Sequence, residues 1–341
     1  MKKVALIALA VSLAACKSQQ PKTVETADVM DYANSITAGE LKEHLYIFAS
    51  DEFEGRDTGE PGQKKGAEYL KEEFKDLGIP SPFGGDDYYQ EIPGSYFTRG
   101  EIKDTENVLA YIEGTTYPEE VLVITSHYDH VGIDDQGRIY NGADDGGSGP
   151  MALLEIAEAF KKAKEDGYGP KRSILFLLLT GEEKGLVGSK FYTENPVFPL
   201  ENTVANLNAD MIGRIGEGME DAGDYVYLIG SDKLSTELHE ISEAANAKYI
   251  GMKLDYTFND ENDPNRFYYR SDHYNFAKHD IPIIFYFNGV HEDYHQHTDE
   301  PDKIEYDLLA KRAQLIFVTA WEVANRAERP FVDKPTLTEE E

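Results

Sequence analysis

Cysteine is almost missing from this 341-residue chain, which has a single one at Cys16. Disulfides and thiolate metal ligands are thereby excluded from the folded part, and any metal must be held by His, Asp and Glu. Basic residues are also scarce: 33 Lys and Arg stand against 64 Asp and Glu, for a formal net charge of −31. Such acidity argues against nucleic acid or anionic lipid as a ligand, because like charges repel. No apolar run approaches the about 20 residues that a membrane-spanning helix needs. Nor is there a phosphate loop. The glycine-rich stretch 141–149 lacks the Lys-Ser/Thr ending and carries Asp144 and Asp145 instead, a composition suited to a cation.

What is present begins with Lys2 and Lys3, a short apolar segment at 4–15 and then Cys16. A basic start before a short apolar segment reads as a secretory signal. Leu13-Ala14-Ala15-Cys16 resembles a bacterial lipoprotein signal, which would leave Cys16 lipidated and the protein tethered in the cell envelope, on the periplasmic or surface side of a bacterial membrane. Residues 17–35 are polar without apolar periodicity and are expected to be a flexible tether. A folded domain is expected over 36–330, with 331–341 as a disordered acidic tail.

From residue 107 onward, strand-like and helix-like segments alternate, which predicts an α/β fold with a mixed, largely parallel central sheet flanked by helices. The centre is expected at Ile174-Leu175-Phe176-Leu177-Leu178-Leu179, an unbroken apolar run that suits a strand buried on both faces. It stops at Thr180-Gly181, and Glu182-Glu183 follow at once. Two adjacent carboxylates in a dry cleft raise each other's pKa, so the pair needs a positive group nearby. Other apolar runs end the same way: one at His127-Tyr128-Asp129-His130, one at Asp210, and one before the loop 291–297. On extended chain His127 and Asp129 share a face. Ligands of open α/β sheets gather outside the carboxyl ends of the strands, where all four clusters would meet. Imidazole and carboxylate without sulfur suit catalytic zinc. His130, His273, His279 and His291 are expected to be structural, and 80–94 to be a surface loop.

Taken in series from 50 to 304, these motifs resemble the co-catalytic di-zinc aminopeptidases of the bacterial leucyl aminopeptidase type, relatives of glutamate carboxypeptidase II and the glutaminyl cyclases. The resemblance implies a zinc-exopeptidase fold, two zinc ions, and peptide substrates with a free N-terminus. It also implies roles: His127 and Asp210 on the first metal, Asp144 bridging both, Glu183 and His295 on the second. Glu182 would be the general base, and Asp129 would orient His127. His295 is chosen because it precedes Asp299 by four positions. A cis peptide bond between Asp144 and Asp145 is implied, and a nearby tyrosine, Tyr268 or Tyr269, at the oxyanion. The competing expectations are a glutaminyl cyclase-like acyltransferase with one zinc and a non-catalytic binding relative.

Overall fold

The computed structural model describes residues 28–335. The expected signal segment, tether residues 17–27 and tail residues 336–341 lie outside the described residues. Among the described residues, no helix is long and apolar enough to cross a membrane.

Among the described residues ten strands form in chain order: β1 (Tyr89–Ile92), β2 (Thr105–Ile112), β3 (Tyr117–His127), β4 (Gly132–Ile133), β5 (Ile139–Tyr140), β6 (Arg172–Leu179), β7 (Thr203–Ala209), β8 (Tyr225–Ile229), β9 (Lys253–Asp255) and β10 (Ile283–Phe287). The α-helices are α1 (Val29–Ala33), α2 (Ala38–Phe48), α3 (Pro61–Asp76), α4 (Gly149–Glu165), α5 (Val187–Glu194), α6 (Thr236–Ala245), α7 (His273–Ala277) and α8 (Tyr306–Asn325). Eight strands make one sheet in the order β1-β2-β6-β3-β7-β10-β8-β9, and β4 pairs with β5 in a separate hairpin. The middle four, β6, β3, β7 and β10, are parallel, whereas β1, β2 and β8 join by antiparallel pairing. The fold is therefore the expected mixed, largely parallel α/β sheet.

β6 shows why the apolar run was needed. Ile174, Phe176 and Leu178 join the core beneath the larger helical layer, while Leu175, Leu177 and Leu179 enter the core on the opposite face. With a side-chain period of two, only a strand apolar at every position can serve both. The helix stripes behave likewise. Leu41, Leu45 and Phe48 of α2 and Ala67, Leu70 and Phe74 of α3 are all buried.

Three expected boundaries are corrected. The domain starts before residue 36: Val29, Tyr32 and Ala33 of α1 are buried, Asp28 caps the helix through Met30 N, and Tyr32 stacks on Trp321. One helical turn is too short for its periodicity to stand out. Residues 331–335 are docked rather than loose, since Asp333 accepts from Thr236 N through its carboxylate and donates its own N–H to the Leu234 carbonyl. Finally, the stretch 80–94 is not all loop, because β1 adds to the sheet edge opposite β2.

Candidate metal and catalytic site

Parallel pairing brings the ends of four strands to one edge. His127 closes β3 in register with Leu179 of β6, and Glu182 and Glu183 follow β6 by a short turn. That turn passes through Gly181 at φ +69°. Asp210 follows β7, and the loop after β10 carries His291 and His295. The fifth contributor is the glycine-rich loop ahead of α4. Gly146 there has φ +75°, and a Cβ on it would meet the Asp129 carbonyl at 2.4 Å, so only glycine allows this loop to approach β3.

At the centre sits Asp145. Its Oδ1 lies 3.3 Å from His127 Nε2, which in turn is 3.1 Å from Asp210 Oδ1. Its Oδ2 lies 3.1 Å from His295 Nε2, and that nitrogen is also 3.1 Å from Glu183 Oε1. One carboxylate thus faces two nests of donors, His127 with Asp210 on one side and His295 with Glu183 on the other. His130 Nδ1 stands 3.1 Å from Glu183 Oε1 and 3.7 Å from Asp145 Oδ2 on the second side. The His127 ring is set by its other nitrogen: Nδ1 donates to the Asp129 carbonyl at 3.1 Å, which leaves the Nε2 lone pair for the cluster.

The electrostatics ask for cations. Burial works against a charge on His295, yet its contacts with Asp145 and Glu183 lift its pKa to about 10. Burial likewise opposes charge on His127, and Asp210 and Asp145 outweigh it and raise the pKa well above the usual imidazole value. Glu182 is pushed well up by burial; His127 opposes that shift, and Glu183 and Asp210 add to it. Asp145 Oδ2 is buried without a hydrogen bond. Carboxylates and imidazoles packed this closely, with an orphaned oxygen at the centre, fit bound zinc.

His127, Glu183, Asp210 and His295 are brought together as expected, with Glu182 beside them. Asp144 is not. Its carboxylate points away from the cluster, accepting from Gly213 N at 2.6 Å and Ser148 Oγ at 2.9 Å and lying 3.1 Å from His291 Nε2. Asp145 takes the central place, since its backbone at φ −81°, ψ 107° turns the side chain into the cleft. No cis peptide bond occurs among the described residues, including at Asp144-Asp145. Asp129 orients His127 through its main-chain carbonyl; its carboxylate, 3.8 Å away, instead accepts from Thr58 Oγ1 at 2.7 Å and Glu182 N at 3.2 Å.

Supports behind the cluster were not legible either. Asp299 Oδ2 accepts from the N–H groups of both Asp144 and Asp145, at 3.0 and 3.1 Å. Arg56, fully buried, donates to the carbonyls of Tyr128, Phe48, Asn141 and Gly142 and so ties the end of β3 to the glycine-rich loop. Burial lowers its pKa to about 10. His273 is structural as expected: Nε2 donates to the Tyr268 carbonyl, and burial lowers its pKa to about 3. The same holds for His291, buried against Asp144. Beside Asp145, Glu182, Asp210 and His295 opens a pocket with an apolar wall of Met211, Phe267, Phe285, Phe287 and Val290. The tyrosine that lines it is Tyr294, stacked on His295 at 4.0 Å. Tyr268, in contrast, has its hydroxyl buried without a partner.

Known proteins similar to this chain are peptidases. A probable zinc metalloprotease of Pyricularia oryzae is 26% identical over 274 residues, covering 68% of this chain and 53% of that protein. Leucine aminopeptidase 1 of Penicillium rubens is 28% identical over 235 residues, covering 64% and 56%. The chain thus spans about half the length of these curated relatives. Among solved structures, the LapA aminopeptidase of Legionella pneumophila superposes with a TM-score of 0.68 at 22% identity, covering 96% of this chain and 81% of that one, a likeness of fold. The sequence profile of peptidase family M28 matches residues 107–320, which contain every member of the cluster, and the chain belongs to that family.

Proposed function

We propose that the protein is a di-zinc aminopeptidase that removes N-terminal residues from peptides. The observation that carries this reading is the placement of Asp145 between two donor sets. The first metal would be held by His127, Asp145 and Asp210, the second by Asp145, Glu183 and His295, with His130 at its edge. Bound there, the ions would polarise a scissile carbonyl and make water acidic enough to lose its proton near neutral pH.

The chain's own contribution is the proton path. The Glu182 carboxylate forms no hydrogen bond or ion pair with a described residue, so it is not consumed as a structural ligand. Its N–H is pinned to Asp129 Oδ1, which fixes where the side chain projects. In this reading Glu182 accepts the proton of the attacking water on a carboxylate oxygen and passes it to the leaving amine nitrogen. The apolar wall beside it would receive the side chain of the N-terminal residue and exclude water.

Export and tethering through a lipidated Cys16 complete the proposal, supported by the residue pattern at 1–16. Loss of acyl labelling in Cys16→Ser would be the check on that part. For the activity, purified protein should contain two zinc ions per chain and shorten leucyl peptides only when the N-terminus is free. One zinc, together with cyclisation of N-terminal glutamine, would overturn it.

A further inference from the structure

Arg270 is an unusual cation. In a chain of net charge −31, its exposed guanidinium has no carboxylate within 4 Å among the described residues. Its polar contacts are two weak ones, the Asn265 carbonyl and the Tyr294 hydroxyl, both at 3.5 Å. The group is nevertheless held in place, stacked over the Phe267 ring at 4.9 Å. Its location is the second observation. Arg270 lines the pocket beside Glu182 and Asp210. The next residue, Ser271, donates to Asp210 Oδ2 at 2.6 Å, and Tyr294, which Arg270 touches, stacks on His295. An oriented guanidinium with its donors unspent, at the rim of a pocket whose far wall is apolar, is a receptor for a planar anion.

Resting on the aminopeptidase reading, we infer that Arg270 selects substrates bearing a carboxylate that reaches this pocket. A guanidinium would repel the substrate's free ammonium, so that group must lie elsewhere in the cleft. Peptides supply a carboxylate from two sources: an acidic side chain on the N-terminal residue, or the C-terminus of a dipeptide. Either would form a forked, charge-assisted pair with Arg270.

Kinetics on matched substrates separate the sources and test the inference. Leucyl-glycine and leucyl-glycinamide differ in the C-terminal carboxylate, glutamyl-anilide and glutaminyl-anilide in the side chain. The expected result is that Arg270→Gln lowers kcat/KM for the carboxylate member of one pair about tenfold or more relative to its amide, chiefly through KM, with partial rescue in Arg270→Lys. A drop in the first pair identifies the C-terminus, and in the second the side chain. Equal losses on all four substrates, or none, would overturn the inference. A binding measurement keeps it separate from the activity reading: calorimetric titration of the zinc-loaded protein with leucine, leucinamide, glutamate and glutamine. Tighter binding of the carboxylate member of a pair in wild type, lost in Arg270→Gln, supports the subsite even if no peptide is hydrolysed. Absence of hydrolysis would then count against the aminopeptidase reading alone. Binding that ignores the carboxylate would count against Arg270.

Discussion

The two donor sets around Asp145 are built differently. His127 and Asp210 stand directly at strand ends in the parallel centre of the sheet, and the His127 side chain is 1% exposed. His295 belongs to a loop, adopts φ +54°, and is 39% exposed. The inner set is thus fixed by sheet register and ring orientation, whereas the outer set depends on how the loop after β10 is held. An inner ion should be retained more firmly, and the outer one should exchange first.

Removing what the two sets share gives the largest effect. Asp145→Ala should empty both positions, seen as near-zero zinc by elemental analysis; retention of two ions would move the bridge elsewhere. Next comes Glu182→Gln, which should keep both ions and the fold while turnover falls about 10²–10⁴-fold, the usual contribution of a positioned base. Near-normal hydrolysis at saturating zinc would remove Glu182 from the mechanism.

The contrast itself is tested by His127→Ala against His295→Ala. Each should weaken one ion by at least about 10–100-fold, and dialysis against a chelator should strip the His295 variant to one firmly held ion. If the His127 variant keeps its remaining ion more firmly, the inner and outer ranking is reversed. Proton linkage gives a milder signature. In the metal-free protein the His295 ring is protonated at neutral pH, its pKa being about 10, so zinc must displace that proton. Apparent affinity at the outer position should therefore strengthen by about tenfold per pH unit from pH 7 towards 10, with proton release in calorimetry. A flat profile would mean that His295 is not displaced. Smallest is Asp144→Asn. It disturbs the buried contacts to Gly213 and Ser148 and should cost about 1–3 kcal/mol of stability in thermal melts while leaving both ions bound. A lost zinc there would restore Asp144 to the metal shell.

Much of this arrangement was legible in the linear chain because strand patterning and ligand chemistry are local. A short, unbroken apolar run in β6 suits a strand with two buried faces, and parallel strands place their following residues on one edge. His127, Glu182, Glu183 and Asp210 follow from that directly. The short elements were not legible: α1 and β1 have too few residues for a period to declare itself, and both owe their place to Trp321 and β2. Arg56 also reads as loop polarity in the sequence, since its carbonyl partners Tyr128, Asn141 and Gly142 come from distant segments.

The sequence by itself therefore determined the sheet, its ligand-bearing edge and the donor chemistry, because those depend on side-chain periodicity and residue type. Tertiary structure alone decided between Asp144 and Asp145. The two are chemically identical neighbours, and which carboxylate enters the cleft depends on backbone dihedrals. Those are imposed by Gly146 packed against Asp129 and by Asp299 holding both amides.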